Sequence, residues 1–394
     1  GRHYLYMASG SKPEDSAYRV GSLDSPDSKP LAPAQTLVTY APPGYLLFVR
    51  DKTLVAQPFD SKALQTKGEP IPLAEHIGTD SVGLATFSVS RDGTLAYRTG
   101  EAGARLLWVE RSGKELDPVG ERGEYSNPAL SRAGDRLAFG LADPHSGKND
   151  VWIRDLARGV SSRFTFGGAN NGVPLWSPDG STIVFRSDRN GEFDLFEKSA
   201  SGQGEEKTLL KNDETKFASD WSRDGRYIAY ASRGKKTGWD AWALPTFGDR
   251  KPLPIVAGQF AELNPMFSPD TRFVAYQSNE SGRFEIYVQS FPVASGKWQV
   301  SSSGGSDASW RADGKELYYR SAEQKLMAVD IQTGESFKAG IPRPLFAARV
   351  QPSVSRNKYV PSADGKRFLL VAPLGRESLI PTTVVLNWHA ELGH

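Results

Sequence analysis

The chain of 394 residues contains no cysteine. Disulfides, thiolate nucleophiles and zinc–thiolate sites are therefore excluded, while bacterial periplasm and cytosol both stay compatible. No apolar run approaches the roughly 18 residues of a membrane-spanning helix, so no direct insertion of this chain into a membrane is expected. Charge of one sign is also missing. The 48 basic and 46 acidic residues are well mixed and leave a formal net charge of +2, which gives no electrostatic reason to expect nucleic acid as a partner. Glycine-rich phosphate loops, H-R-D and D-F-G tripeptides and G-x-S-x-G elbows do not occur, so neither kinase nor α/β-hydrolase chemistry is encoded here. The five histidines, His3, His76, His145, His389 and His394, are far apart and form no H-E-x-x-H pair; no metal and no cofactor is expected. No secretory signal opens the sequence. It begins GRHYLYMAS, without Met and apparently inside a strand, which suggests a piece of a longer chain.

What is abundant points one way. Gly 39, Pro 26, Trp 9, Tyr 14 and Phe 19 suit sheets and tight turns better than helix bundles. The stretch VPLWSPDGSTIVFRSDRNGEFDLFEK, running to Lys198, reads as strand, Ser-Pro-Asp-Gly turn, strand, polar loop and third strand. In such a turn Pro presets the first corner, Asp accepts hydrogen bonds from nearby amides, and Gly takes a positive φ. The pattern recurs at Gly44, Gly93, Gly134, Gly180, Gly225, the substituted Thr271, Gly314 and Gly365, with a partial copy at Gly1. Successive intervals are 43, 49, 41, 46, 45, 46, 43 and 51 residues. A large apolar residue usually precedes the turn (Trp176, Trp221, Phe267, Trp310). An acid followed two residues later by an aromatic usually opens the third strand (Asp150 and Trp152, Asp194 and Phe196, Asp240 and Trp242, Glu285 and Tyr287).

Four antiparallel strands in about 40–45 residues is the period of a β-propeller blade. The expected fold is all-β: a single propeller over 1–394 with about eight four-stranded blades, seven to nine being compatible with the turn copies. The W-S-P-D-G turn, the strand after it, the S-D-R-N-G loop and the acid–aromatic strand resemble the repeats of TolB-like propellers. Phrases such as YAPPGYLLFVR (40–50), LARGVSSRFTF (156–166), SGRFEIYVQSFP (281–292), GKWQVSSSGG (296–305) and TTVVLNW (382–388) resemble, more narrowly, the C-terminal propeller region of bacterial membrane-spanning serine/threonine kinases. That resemblance implies a periplasmic or extracellular sensor region of a larger membrane-anchored protein. Fold likeness alone does not assign function.

Acids repeated at one place in every blade, such as Asp179, Asp224, Asp270 and Asp313, or Asp150, Asp194 and Asp240, are what a turn or an inter-strand hydrogen bond requires. The recurrent tryptophans fit between sheets. Residues that differ between blades are better site candidates. On a propeller, the connection from the outermost strand to the next innermost strand lies on one face, where ligands commonly bind. Those connections are 120–127, 167–173, 212–220, 258–264 and 303–309. They supply Glu124, Tyr125, Asn127, Asn170, Asn171, Lys216, Phe217, Glu262, Asn264 and Asp307. This mixed set suits a protein, peptide or carbohydrate ligand better than phosphate.

The reading is a non-enzymatic ligand-sensing or protein-binding module. A propeller-type lyase or glycosidase is the enzymatic alternative; it predicts carboxylates of raised pKa beside a histidine at the channel mouth. An envelope assembly scaffold like TolB is the third, with an exposed apolar patch. Residues 332–358 are expected to be a long inter-blade connection, and the strand within 382–388 to complete the final blade. Oligomeric state is left open.

Overall fold

The computed structural model describes residues 2–8, 16–34, 36–78, 85–99, 103–143, 146–234, 238–334, 336–351, 357–374 and 382–392. The described residues form nine antiparallel sheets and one short 3-10 helix, Trp388–Leu392. The sheets fall into two compact units, residues 104–373 and residues 1–103 with 374–394. The nine sheets of the described residues lie within the seven to nine blades anticipated.

Sheets I to IV of the larger unit follow the repeat. Sheet I comprises Tyr125–Leu130, Arg136–Ala142, Asn149–Asp155 and Val160–Arg163. Sheet II comprises Asn171–Trp176, Thr182–Asn190, Glu192–Ser199 and Lys207–Leu210. Sheet III comprises Lys216–Trp221, Tyr227–Gly234, Gly238–Pro245 and Leu253–Val256. Sheet IV comprises Glu262–Phe267, Phe273–Ser278, Glu285–Ser290 and Lys297–Gln299.

Sheet V begins Gly305–Trp310, Glu316–Ser321, Lys325–Thr333, then adds Phe337–Ala339 and Arg343–Ala347, both paired with its third strand. Part of the stretch read as a long connection, Phe337–Ala339 and Arg343–Ala347, is therefore sheet. Sheet VI joins distant pieces: Tyr359–Pro361 pairs with Arg367–Pro373, which pairs in turn with Ala104–Glu110, and that strand carries Glu115–Pro118 at its edge. The register runs from Ala104 opposite Pro373 to Glu110 opposite Arg367.

That pairing closes a ring of six sheets, and the side chains show why. Apolar residues alternate along each strand, and each alternate set meets a different neighbour. Ile183 and Phe185 pack with Ala138 and Val151 of sheet I, while Val184 between them packs with Ile228 and Tyr230 of sheet III. Ala229 meets Phe267 and Val274 of sheet IV. Ala275 and Ile286 then meet Leu317 and Tyr319 of sheet V. Tyr318 meets Phe368 and Leu370 of sheet VI, and Leu106 and Leu369 of sheet VI return to Leu137 and Phe139 of sheet I. A sheet buried on both faces needs two neighbours, and a closed ring supplies them without a free end. At the seam, Arg111, in the turn after Ala104–Glu110, binds the buried carboxylate of Glu316 at 2.6 Å. Arg311 and Arg343 bind the same carboxylate.

The smaller unit holds three sheets: His3–Ala8 with Ala17–Ser22 and Ser25–Pro33; a five-stranded sheet from Thr39–Ala41 to Ile71–Ala74; and Phe87–Val89 with Leu95–Arg98. Thr382–Val385 joins the last of these beside Leu95–Arg98. The tail thus completes that sheet and not sheet VI, which the 104–118 hairpin completes instead.

Candidate ligand face of the ring

The turn motif makes one face of each sheet. Ser177 Oγ donates to Asp179 at 2.6 Å and accepts from the Thr182 amide at 2.9 Å, while Asp179 also accepts from the Ser181 amide at 3.0 Å. These bonds favour the charged carboxylate and hold Asp179 down to about 2. Trp176 Nε1 donates to the Ala129 carbonyl of sheet I at 3.0 Å, beneath the Arg136 guanidinium. The motif is consumed in building blades.

At the opposite face the third-strand acids tie each sheet to the next. Asp150 accepts from Thr165 Oγ1 at 2.7 Å, from Asn171 Nδ2 at 2.9 Å and from Arg163. Asp194 accepts from Lys216 Nζ at 2.7 Å, Asp240 from the Gly258 amide at 3.1 Å, and Glu285 from the Gly304 amide at 2.8 Å. Such bonds satisfy the strand entering the ring centre and fix its starting residue.

The innermost strands then depart from regular pairing. Register shifts occur between Ser126 and Ala129, Gly172 and Leu175, Leu263 and Met266, and Ser306 and Ser309. The third residue of each of these strands has a positive φ: Asn127 49°, Val173 52°, Asn264 52° and Asp307 56°. Asn and Asp reach that region with less strain than other side chains, whereas a β-branched Val does not. A proline follows three of them, Pro128, Pro174 and Pro265. Lacking an N–H, proline interrupts the ladder and fits a bulge. These prolines are the signal in the sequence that marks the bulges.

Most candidates taken for connection residues lie on these innermost strands, and they separate into two groups. Lys216 is 0% exposed and bound to Asp194, and Phe217 is enclosed edge-on against Trp239. Asn171 is enclosed on Asp150. The exposure expected of them is absent because the acid of the preceding sheet, or the core, takes each. Asn170 braces the connection, accepting from the Asn149 amide at 3.1 Å. Tyr125 lies edge-on to Phe139 and donates to the Glu121 carbonyl at 2.8 Å, and burial raises its phenol. Glu124 accepts from Gln351 Nε2 at 3.4 Å, and Asn127 accepts from the Asn357 amide at 3.3 Å.

Glu262, Asn264 and Asp307 form the other group. Glu262 accepts from Ser278 Oγ at 3.2 Å, but its Oε2 is buried and unpartnered, as is the Tyr276 hydroxyl. Burial, reinforced by the charges of Asp240 and Glu280, pushes the Glu262 carboxyl up to about 7. Asn264 Nδ2 and the Asp307 amide both donate to Gln277 Oε1, at 3.4 and 3.2 Å, leaving Asn264 Oδ1 unpartnered. Asp307 binds Arg320 at 2.9 Å; burial raises its carboxyl although Lys358 and Arg320 act against that. Sequence reasoning missed Arg320. Asp220 accepts from the Phe267 amide at 2.8 Å, and burial lifts it to about 7.

On the same face Phe166, Phe260 and Phe284 are 57%, 45% and 38% exposed. Among the described residues no group of three or more His, Cys, Asp or Glu could hold a metal ion. The described histidines His3, His76 and His389 all belong to the smaller unit, whereas Glu262 belongs to the ring. His145 and His394 lie outside the described residues.

Residues 80–242 match the family model of the TolB β-propeller domain. The Tol-Pal system protein TolB of Francisella tularensis subsp. tularensis (strain WY96-3418) is 27% identical over 203 residues, covering 50% of this chain and 46% of that protein. The same figures hold for its counterpart in subsp. mediasiatica (strain FSC147). The chain thus spans about half the length (46%) of the curated relatives it matches. A solved structure of a TolB-type protein from Agrobacterium tumefaciens superposes with a TM-score of 0.56 at 16% identity, covering 70% of this chain and 100% of that one. Residues 80–242 are thus similar to a TolB β-propeller domain, and the chain has a β-propeller fold.

Proposed function

We propose that the chain is a non-enzymatic protein-binding propeller of the bacterial envelope, and that its ligand face is the one where strands enter the centre of the 104–373 ring. One observation carries the reading: exposed Phe166, Phe260 and Phe284 stand on the same face as bulged innermost strands with buried polar groups left without partners. Aromatic anchors beside unsatisfied polar groups suit a protein partner, which can cover the first and bond to the second. A small polar ligand would leave the aromatics in water. The likeness to Tol-Pal system proteins supports an envelope location. In the finer reading the ring is the sensor region of a membrane-anchored serine/threonine kinase, and occupancy of this face biases an attached signalling domain. That step draws on the resemblance of the sequence phrases.

Photo-crosslinking in bacterial cells tests the assignment. A benzophenone side chain replacing Phe260 or Phe284 is expected to capture one discrete protein. The same group replacing Phe247, in the connection between the third and fourth strands of sheet III and hence on the opposite face, should capture none. Equal capture from Phe247, or capture from neither face, would overturn the reading.

A further inference from the structure

We propose that the mouth of the ring between sheets V and VI holds a carboxylate-binding subsite, formed by Lys358 and Arg320 and positioned by Asp307, that takes an acidic side chain or chain terminus of a bound polypeptide. The inference rests on the protein-binding reading and specifies what the partner presents there. Arg320 and Asp307 are paired at 2.9 Å with both side chains nine-tenths buried. The Tyr359 hydroxyl donates to the Asp307 carbonyl at 2.8 Å, which brings the start of the sheet VI strand, and with it Lys358, beside the pair. Lys358 lies within electrostatic reach of both members of the pair, so two cations face one carboxylate beside the buried Arg320–Asp307 bridge.

The imbalance shows in the groups themselves. Arg320 Nε is buried without an acceptor. Lys358 is half-buried, and burial lowers its ammonium below the ordinary lysine range, although Asp307 pulls the other way. Buried charge is costly unless matched, and one further negative charge would match this cluster. A carboxylate supplies that charge and acceptor oxygens for both donors in one plane. The neighbouring Asn264 Oδ1, connected through Gln277 to the Asp307 amide, is an acceptor that a carboxylate cannot satisfy but a peptide N–H can. This favours a polypeptide over a free anion.

Isothermal titration of the whole chain with three blocked peptides tests the subsite. Acetyl-tetraglutamate amide carries only side-chain carboxylates, acetyl-tetraalanine with a free terminus carries only the terminal one, and acetyl-tetraglutamine amide carries none. At least one of the first two is expected to bind about tenfold more tightly than the third, the scale of a charge-assisted contact. Which one does so identifies the source of the carboxylate. Lys358→Gln should abolish the preference while melting at the temperature of the unaltered chain. Arg320→Lys, which keeps charge but not geometry, should weaken it. Three peptides that bind alike or not at all, or a preference that survives Lys358→Gln, would overturn the proposal. Cross-links from Phe260 that persist in Lys358→Gln cells, with no peptide preference, would sink the subsite and leave the protein-binding reading standing; loss of face-specific cross-links in the unaltered chain would sink that reading instead.

Discussion

Two junctions in the ring begin from the same plan and end differently. Between sheets II and III the third-strand acid Asp194 meets Lys216, the first residue of the next innermost strand, at 2.7 Å. Between sheets III and IV the corresponding acid is Asp240 and the corresponding first residue is Glu262. The first junction is a closed, buried ion pair, with Lys216 also donating to the Asn212 carbonyl. The second sets like charges within electrostatic reach, leaves Glu262 Oε2 without a partner, and raises that carboxyl to about 7. One scaffold position therefore serves as a rivet in one place and as an unsettled polar group in the next. A residue's place in the repeat does not decide its role; the charge of the residue facing it does.

Removing the rivet should have the largest effect. Lys216→Met leaves Asp194 buried without its cation, and breaking a buried pair from one side costs about 3–5 kcal/mol. Urea unfolding should show a loss of unfolding free energy of that order, seen as a lower midpoint at an unchanged slope. Asp194→Asn with Lys216→Met should recover much of it, because a neutral amide can keep the Asn212 amide bond at 3.4 Å. A double variant no better than the single would mean that packing, not charge, holds this junction.

The second junction predicts a pH dependence. A carboxyl whose folded pKa is about 7, against an ordinary 4.5, keeps its proton in the folded state over a range where the unfolded chain has released it. Stability should therefore fall as pH rises from 4.5 to about 7 and then level off. Glu262→Gln removes this term, so the variant should gain on the unaltered chain with rising pH, by about 3 kcal/mol at pH 8. Asp220, also lifted to about 7 by burial, contributes with the same sign, so the slope should lessen in the variant without vanishing. Parallel pH profiles for the two proteins would remove Glu262 from the account.

The repeats were legible because they are local. A Ser-x-Asp-Gly turn, the residue before it and the strand after it lie within ten residues, and Ser177, Asp179 and Trp176 make the contacts their types imply. Ring closure was not legible. Ala104–Glu110 pairs with Arg367–Pro373, and no composition or spacing marks which hairpin will meet a strand so distant in sequence. Turn copies count sheets but not the ring to which each belongs. The site was half legible for a related reason. The irregular residues before each innermost strand lie on the face proposed for the ligand, and Glu262, Asn264 and Asp307 are there with bonding capacity unspent or in imbalance. Lys216 belongs to the same irregular set, yet its partner lies 22 residues upstream, and an isolated lysine gives no hint of that. Arg320 was hidden at the end of an ordinary apolar strand.

The smallest effect separates sheets II and IV at the bulge itself. Val173 and Asn264 occupy the same third position with φ of 52° in both. Asparagine tolerates this backbone, but valine adopts it only under strain of about 1–3 kcal/mol, and the surrounding packing with Phe217 and Ala231 enforces it. Val173→Ala should lose packing and keep most of the strain, whereas Val173→Gly loses slightly more packing and releases the strain. In an ordinary strand glycine is the worse substitute. Here Val173→Gly should be more stable than Val173→Ala, by about 0.5–1 kcal/mol in urea unfolding. The opposite order would show that the chain at 173 relaxes out of the left-handed region when the side chain is shortened. In that case the bulge in sheet II is imposed by valine packing, whereas in sheet IV it is set by the backbone of Asn264.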